Sequence, residues 1–198
     1  MSKIGILGGT FDPPHYAHMI MAEFARDQLK LDSVLWMIAA EPPHKTANSI
    51  TGIKHRLEMV KLVIKNRSEF AISLLDMNRP GPHFSSDMLE LASRELPETE
   101  LYFLIGSDSL HDLPRWYQPE RLGIFASICV MDRSGKGLDA EDVTAEIPSL
   151  RGNIQTIVAP TIGISATSIR ERVRRDQTIR YLVPDSVCSY IHKHRLYR

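Results

Sequence analysis

A chain of 198 residues, 43% hydrophobic and 24% charged, is long enough to bury a sizeable core and fits a single domain spanning residues 1–198. Its 24 Lys and Arg balance its 24 Asp and Glu, so no global field recruits nucleic acid or an anionic membrane, and any anion affinity must be local. No apolar stretch approaches membrane-spanning length, no targeting segment opens the chain, and Cys129 and Cys188 lack metal-type spacing. They read as reduced core thiols of a cytoplasmic protein.

In chain order, Ile4-Gly5-Ile6-Leu7 is an apolar run too short for a helix that breaks at Gly8-Gly9, which predicts a strand and a tight loop. A helix beginning near Pro14 follows, with His15 and His18 at its head. Tyr16 to Leu29 places Met19, Ile20, Ala22, Phe24 and Ala25 at roughly helical period and reads as a crossover helix. Val34 to Ile38 is a second strand, and Ala39 to Lys45 leaves its carboxyl end as a loop. In a right-handed parallel unit the loops at the carboxyl ends of the strands form the ligand crevice, so the first loop and Pro42 to Lys45 face one cleft.

Lys54 to Ile64 is an amphipathic helix and Phe70 to Leu75 a third strand. Asp76 to His83, containing Pro80-Gly81-Pro82, is a turn-rich connection to a helix from about Ser85 to Leu96. Leu101 to Ile105 is a fourth strand ending at Gly106-Ser107-Asp108. Ser109 to Leu122 reads as one or two short helices broken at Pro114 and Pro119, and Ile124 to Met131 as a fifth strand. Ile154 to Val158 is a sixth. Ser165 caps a helix to about Arg175, and Val187 to His194 forms a last one. Strands alternating with helices predict a doubly wound, mostly parallel α/β fold with a small C-terminal helical part. Gly135-Lys136-Gly137-Leu138-Asp139-Ala140 matches the dinucleotide fingerprint only in outline and reads as a solvated turn, and no P-loop is present.

The chemistry concentrates at the strand ends. Gly8 and Gly9 carry no Cβ, so their N–H groups can approach an anion, and the following helix aims its partly positive end at the same point. His15 and His18, three apart, share one helical face and could both donate to one phosphate oxyanion. His44-Lys45 supplies a cation, against the alternative of an exposed basic loop. Gly106 lets a ligand press on the backbone, and Asp108 can accept from ribose hydroxyls or act as an N-cap. Ser165 as N-cap leaves first-turn amides for phosphate, with Arg170 about one and a half turns on; a solvated basic face with Arg172, Arg174 and Arg175 is the plain alternative. A zinc site from His15, His18 and His44 lacks an acidic partner at helical spacing.

The stretch Gly8-Gly9-Thr10-Phe11-Asp12-Pro13-Pro14-His15-Tyr16-Ala17-His18 resembles the GGTFDPxHxGH signature of the adenylyl- and cytidylyltransferase superfamily, with Ala17 at the usual Gly. Ile164-Ser165-Ala166-Thr167-Ser168-Ile169-Arg170 resembles its ISxTxxR signature. Pro82-His83-Phe84-Ser85-Ser86-Asp87-Met88-Leu89 is similar to the PSYTxDTL segment of bacterial nicotinate mononucleotide adenylyltransferases, with Phe for Tyr, Ser for Thr and Met for Thr. Gly106-Ser107-Asp108 with Trp116-Tyr117, then Leu182-Val183-Pro184, Tyr190-Ile191 and Leu196-Tyr197, extend the likeness over nearly the whole chain. The loop Ile38-Ala39-Ala40 departs from the usual Pro or Asn.

The resemblance implies a Rossmann-like fold and transfer of AMP from ATP to nicotinate mononucleotide, releasing pyrophosphate and forming deamido-NAD. It implies ATP binding by Gly8, Gly9, Thr10, Phe11, His15, His18, Gly106, Asp108, Ser165, Thr167 and Arg170. Nicotinate mononucleotide would meet Asp12, His44, Lys45, Ser85 and Trp116. His15, His18, Arg170 and Lys45 would carry catalysis by alignment and charge neutralisation, with Mg²⁺ held through phosphates and water rather than by protein ligands. A sister enzyme acting on nicotinamide mononucleotide or phosphopantetheine, or a nucleotide-sensing module without turnover, are the rival readings. A homo-oligomer stays open.

Overall fold

The structure is a computed structural model that describes residues 1–40, 50–132, 140–160 and 162–198. Among these the strands are β1 (Ser2–Gly9), β2 (Ser33–Ile38), β3 (Phe70–Ser73), β4 (Thr99–Gly106), β5 (Ser127–Asp132) and β6 (Ile154–Val158). The helices are α1 (Tyr16–Leu29), α2 (Ile53–Ile64), α3 (Ser85–Glu95), α4 (Ser107–Asp112), α5 (Leu122–Phe125), α6 (Glu141–Glu146), α7 (Ala166–Arg174) and α8 (Asp185–Lys193). The six strands form one sheet in the order β3-β2-β1-β4-β5-β6, every neighbouring pair parallel. This is the doubly wound arrangement that strand-helix alternation predicts.

Alternation along the strands divides the core into two faces. Leu7, Trp36, Leu104, Cys129 and Ile157 point to a layer with Met21 and Ala25 of α1, Met59 and Val60 of α2, Ile169 of α7 and Ile191 of α8. Ile6, Met37, Phe103, Ile105 and Val130 point the other way, onto Met88 and Leu89 of α3, Leu110 of α4 and Val143 of α6. Cys129 is fully buried, and burial pushes its thiol up to about 12; Cys129 and Cys188 are both free. The outer edge of β6 is occupied by the Gln28 amide, which donates to Val158 O at 2.8 Å and accepts from Val158 N at 3.1 Å.

Two predicted elements shift and one helix is new. The fifth strand starts at Ser127, because residues 122–125 turn as α5 and leave Ile124 exposed on the surface. An apolar run of that length fits either element, and here the turn Pro119–Arg121 leads straight into a helix. The third strand stops at Ser73, where Met77 N and Asn78 N both bond to Leu74 O and close a turn. Downstream of the predicted solvated turn, whose residues 135–139 lie outside the described residues, Glu141–Glu146 forms α6, a helix that the sequence pattern does not predict.

Candidate active site

The site begins where two strands part company. β1 pairs with β4 only as far as Leu7↔Leu104. Beyond that point β1 stays with β2 through Gly9↔Ile38, and β4 stays with β5 through Gly106↔Met131. A crevice must open between the carboxyl ends of β1 and β4, which is the position where the sheet order reverses and open α/β sheets take ligands. A cavity of ≈ 330 Å³ occupies that place. Gly8, Gly9 and Thr10 line one wall, with Gly106 and Asp108 facing them.

Neither Gly8 nor Gly9 has positive φ; the left-handed residue of the loop is Phe11, at φ 50°. A Cβ on Gly9 would lie 3.1 Å from the Phe11 ring, so the second glycine makes room for that ring to fold back. Phe11 is 2% exposed and meets His18 edge-on at 5.0 Å and Trp36 at 5.2 Å between centroids. It is a buried prop for the loop rather than part of the cavity wall.

The helix starts at Tyr16, two residues beyond Pro14: His15 is the extended N-cap of α1, and His18 is the third helical residue. Their rings still meet, stacked at 3.7 Å and 23°, but only His18 lines the cavity. His15 lies beneath it, 4% exposed. His15 N–H donates to His18 Nδ1 at 3.2 Å. A backbone N–H can only donate, so Nδ1 accepts and the ring proton sits on Nε2, ready to donate to an anion. Ala17, in place of the signature glycine, is buried on the helical turn between them without positive φ, so the exchange costs nothing in backbone strain.

Two residues to which motif reading assigns no role hold this loop. Arg56 of α2, 2% exposed, donates to Thr51 O at 2.9 Å, Thr10 O at 2.9 Å, Ala39 O at 2.7 Å and Ala40 O at 2.8 Å. It ties the ends of β1 and β2 to the start of α2. Burial pushes its guanidinium down from the usual value, and the charge of Asp12 works against that shift. Tyr197, next to the C-terminus, donates its hydroxyl to Asp12 Oδ1 at 2.8 Å; burial first, then the charge of Asp12, raises its phenol.

Asp12 is thus a hub. Its Oδ2 accepts from Thr51 N at 3.1 Å, and its backbone O accepts from Arg170 Nη1 at 2.8 Å. Both carboxylate oxygens are engaged inside the protein and the residue is 3% exposed, so Asp12 builds the loop and is not among the residues that line the cavity. Arg170 reaches it from α7, which Ser165 caps by accepting Ser168 N at 3.1 Å, as its sequence predicts. Arg170 Nη2 also donates to Thr167 Oγ1 at 3.2 Å. Ser165, Thr167 and Arg170 are not cavity-lining residues; the Arg170–Asp12 bond joins their helix to the first loop.

On the opposite side, Ser85, Phe84, Trp116 and Tyr117 line the cavity. Phe84 is the N-cap of α3, and the first intrahelical bond runs from Met88 N to Phe84 O at 3.1 Å. The amides of Ser85, Ser86 and Asp87 precede that ladder. Phe84 stacks on Tyr117 at 4.2 Å, and Ser86 Oγ donates to Tyr117 O at 3.2 Å. Trp116 meets Phe103 edge-on at 6.3 Å. Asp108 is the second residue of α4, whose N-cap is Gly106. His44 and Lys45 lie outside the described residues. No group of three or more His, Cys, Asp or Glu among the described residues could hold a metal ion.

The cytidylyltransferase-like family profile matches residues 6–172, a span that includes both signatures. A relative from Thermomicrobium roseum named a probable nicotinate-nucleotide adenylyltransferase is 46% identical over 198 residues, covering 100% of this chain and 92% of its own. The chain belongs to the nicotinate-nucleotide adenylyltransferases of the cytidylyltransferase-like family. A Thermus thermophilus protein named in the same way is 38% identical, covering 99% of this adenylyltransferase-family chain and 100% of its own. A solved Plasmodium falciparum nicotinic acid mononucleotide adenylyltransferase complexed with NaAD has the same fold, with TM-score 0.81 at 24% identity over 100% of this chain and 98% of its own. No described helix is long and apolar enough to cross a membrane.

Proposed function

We infer that the chain, acting as one domain in the cytoplasm, transfers AMP from ATP to nicotinate mononucleotide. The family membership and the relatives' names support the reaction, and one observation carries the assignment of parts: Arg170 bonds to Asp12 O at 2.8 Å, joining two signatures 158 residues apart beside a switch-point cavity. A phosphate oxygen of the mononucleotide attacks the α-phosphorus of ATP. A new P–O bond forms as the bond to the β-phosphate bridging oxygen breaks, and pyrophosphate leaves with both electrons. No protein nucleophile is needed, so the protein's work is alignment and charge stabilisation.

His18 Nε2–H would donate to the α-phosphate as negative charge shifts across it, with His15 stacked beneath to fix the ring. Gly8 to Thr10 would cradle the phosphates, Asp108 would accept from the ribose, and Arg170 would face the leaving pyrophosphate, with Lys45 supplying a further cation. The donors around the first loop are N–H groups and imidazole, which suit phosphate oxygens rather than a hard cation. Asp12 is already spent on internal bonds, and so Mg²⁺ fits as a companion of the triphosphate oxygens, where it would withdraw charge from them. The nicotinate ring would lie by Trp116, its carboxylate toward the unladdered amides from Ser85 to Asp87. Those donors suit an acid and confront the NH₂ of an amide with more donors.

Pyrophosphate release from ATP, assayed with nicotinate mononucleotide, nicotinamide mononucleotide, phosphopantetheine and no acceptor, tests this. Selectivity of ~10⁴ for the acid is expected where an unpaired buried polar group is punished. Trp116→Ala should weaken both pyridine acceptors and leave their ratio nearly unchanged, because stacking does not distinguish them. Comparable kcat/KM for acid and amide in the unmodified protein would refute the assignment.

A further inference from the structure

His83 has no part in the reaction just described, yet it lines the same cavity as Ser85, Asp108 and Trp116 and is 8% exposed. Its Nδ1 is buried without a hydrogen-bond partner among the described residues. The nearest charged atom is Asp76 Oδ2 at 3.7 Å. Asp76 also lines the cavity, is 3% exposed and is held by Arg79, whose Nε and Nη2 lie 2.8 and 2.7 Å from the other oxygen, Oδ1. Arg79 donates further to Pro82 O at 2.7 Å and Phe84 O at 3.1 Å. The pair is therefore fastened to the connection that delivers α3 to the cavity. An imidazole whose Nδ1 is buried 3.7 Å from a fixed carboxylate without a closed hydrogen bond is expensive in a finished core; a proton on Nδ1 would let that contact close, and an anion on the cavity side of the ring would stabilise the charged form that carries it.

A carboxylate can only accept, so Asp76 favours a proton on Nδ1 and leaves Nε2 for the cavity. Neutral His83 would present a lone pair there; the imidazolium would present an N–H. We propose that His83, positioned by Asp76, is a specificity-determining residue that takes up a proton when an acceptor bearing an ionised ring carboxylate binds, and donates Nε2–H to that carboxylate. The imidazolium then lies between two carboxylates, each stabilising it. The inference rests on the acceptor being a pyridine carboxylate, and adds a charge to discrimination that the amides of α3 supply only as dipoles. His83 also stands where the PSYTxDTL signature has Ser, a side chain that cannot carry charge. The other titratable groups lining the cavity are His18 from α1, Asp108 from α4 and the Tyr117 phenol, with Arg79 behind Asp76.

Two measurements decide it. Calorimetry of nicotinate mononucleotide binding in two buffers of different ionisation enthalpy should show net proton uptake by the unmodified protein and none in His83→Gln. In steady-state assays His83→Gln should lower kcat/KM for nicotinate mononucleotide about tenfold or more, the worth of one charge-assisted bond, and change that for nicotinamide mononucleotide less than about threefold. Absence of proton uptake in the unmodified protein overturns the proposal whatever the variant does. Equal losses for the two acceptors, or an unchanged ratio, overturn it as well. If the unmodified protein releases pyrophosphate with neither acceptor, the parent reading itself fails, an outcome distinct from an active enzyme whose selectivity ignores His83.

Discussion

Removing the Arg56 guanidinium while keeping its bulk, as in Arg56→Met, tests whether the loop hub is what holds the cleft in shape. The side chain is 2% exposed and makes four bonds to carbonyls at 2.7–2.9 Å. Bonds from a charged donor are worth roughly 1.5–3 kcal/mol each net of their exchange with water, and such contributions do not add in full when the bonds share one side chain. Thr10 and Ala39 line the cavity, so water can replace part of what they lose, whereas the Asp12 carboxylate would keep its burial and lose the favourable charge of Arg56. A net cost of about 3–5 kcal/mol follows, in the range for breaking a buried polar network. For a chain of this length each kcal/mol moves the melting temperature by ~2–4 °C, so a drop of about 10 °C is expected by circular dichroism. Activity should fall at permissive temperature too, since the freed carbonyls belong to the strand ends that shape the site. Arg56→Lys, with one compact ammonium in place of a planar fork, should recover only part of either loss. A melting temperature within ~2 °C of the unmodified protein for Arg56→Met would refute the argument and reduce Arg56 to packing.

Two further substitutions address the chemistry. His18→Ala should lower kcat by ~10²–10³ with little change in KM for either substrate, because its Nε2–H bond strengthens chiefly in the transition state; a variant keeping more than half of the original kcat would remove His18 from that role, and loss of bound zinc alongside activity would favour the metal reading. Arg170→Ala should impair ATP turnover and Arg170→Lys restore it only in part, since a guanidinium can hold the first loop through Asp12 O and grip two phosphate oxygens in fixed geometry. Equal activity of the Lys and Arg forms would mean that charge alone is needed there.

What could be read from the chain beforehand was what is local in sequence. The strand-glycine-helix opening, the capped start of α7 and the turn-rich approach to α3 are each encoded within a dozen residues, and the parallel sheet follows from their alternation. Arg56, Tyr197 and His83 escaped because their roles are set by partners far along the chain or by burial. Arg56 reaches Thr10 O across 46 positions and Tyr197 reaches Asp12 across 185. An arginine on a predicted amphipathic helix and a tyrosine near the end of the chain carry no pattern that announces a buried bond to a backbone carbonyl or a carboxylate. The apolar run containing Ile124 failed differently: four to eight apolar residues fit strand or helix alike, and only the turn at Pro119 decides.

The first loop shows how local reading can place a residue correctly and assign its work incompletely. Their lack of Cβ lets Gly8 and Gly9 clear space for phosphate, and both line the cavity. The tight approach at Gly9, however, is to the Phe11 ring at 3.1 Å, and Phe11 in turn abuts His18. The glycine therefore acts on His18 through an aromatic side chain that itself needs a left-handed backbone. Asp12 follows the same logic: its carboxylate faces Thr51 and Tyr197 while its carbonyl receives Arg170. The signature thus encodes two layers at once: a surface of donors for phosphate, and beneath it a set of buried contacts that fixes where those donors point.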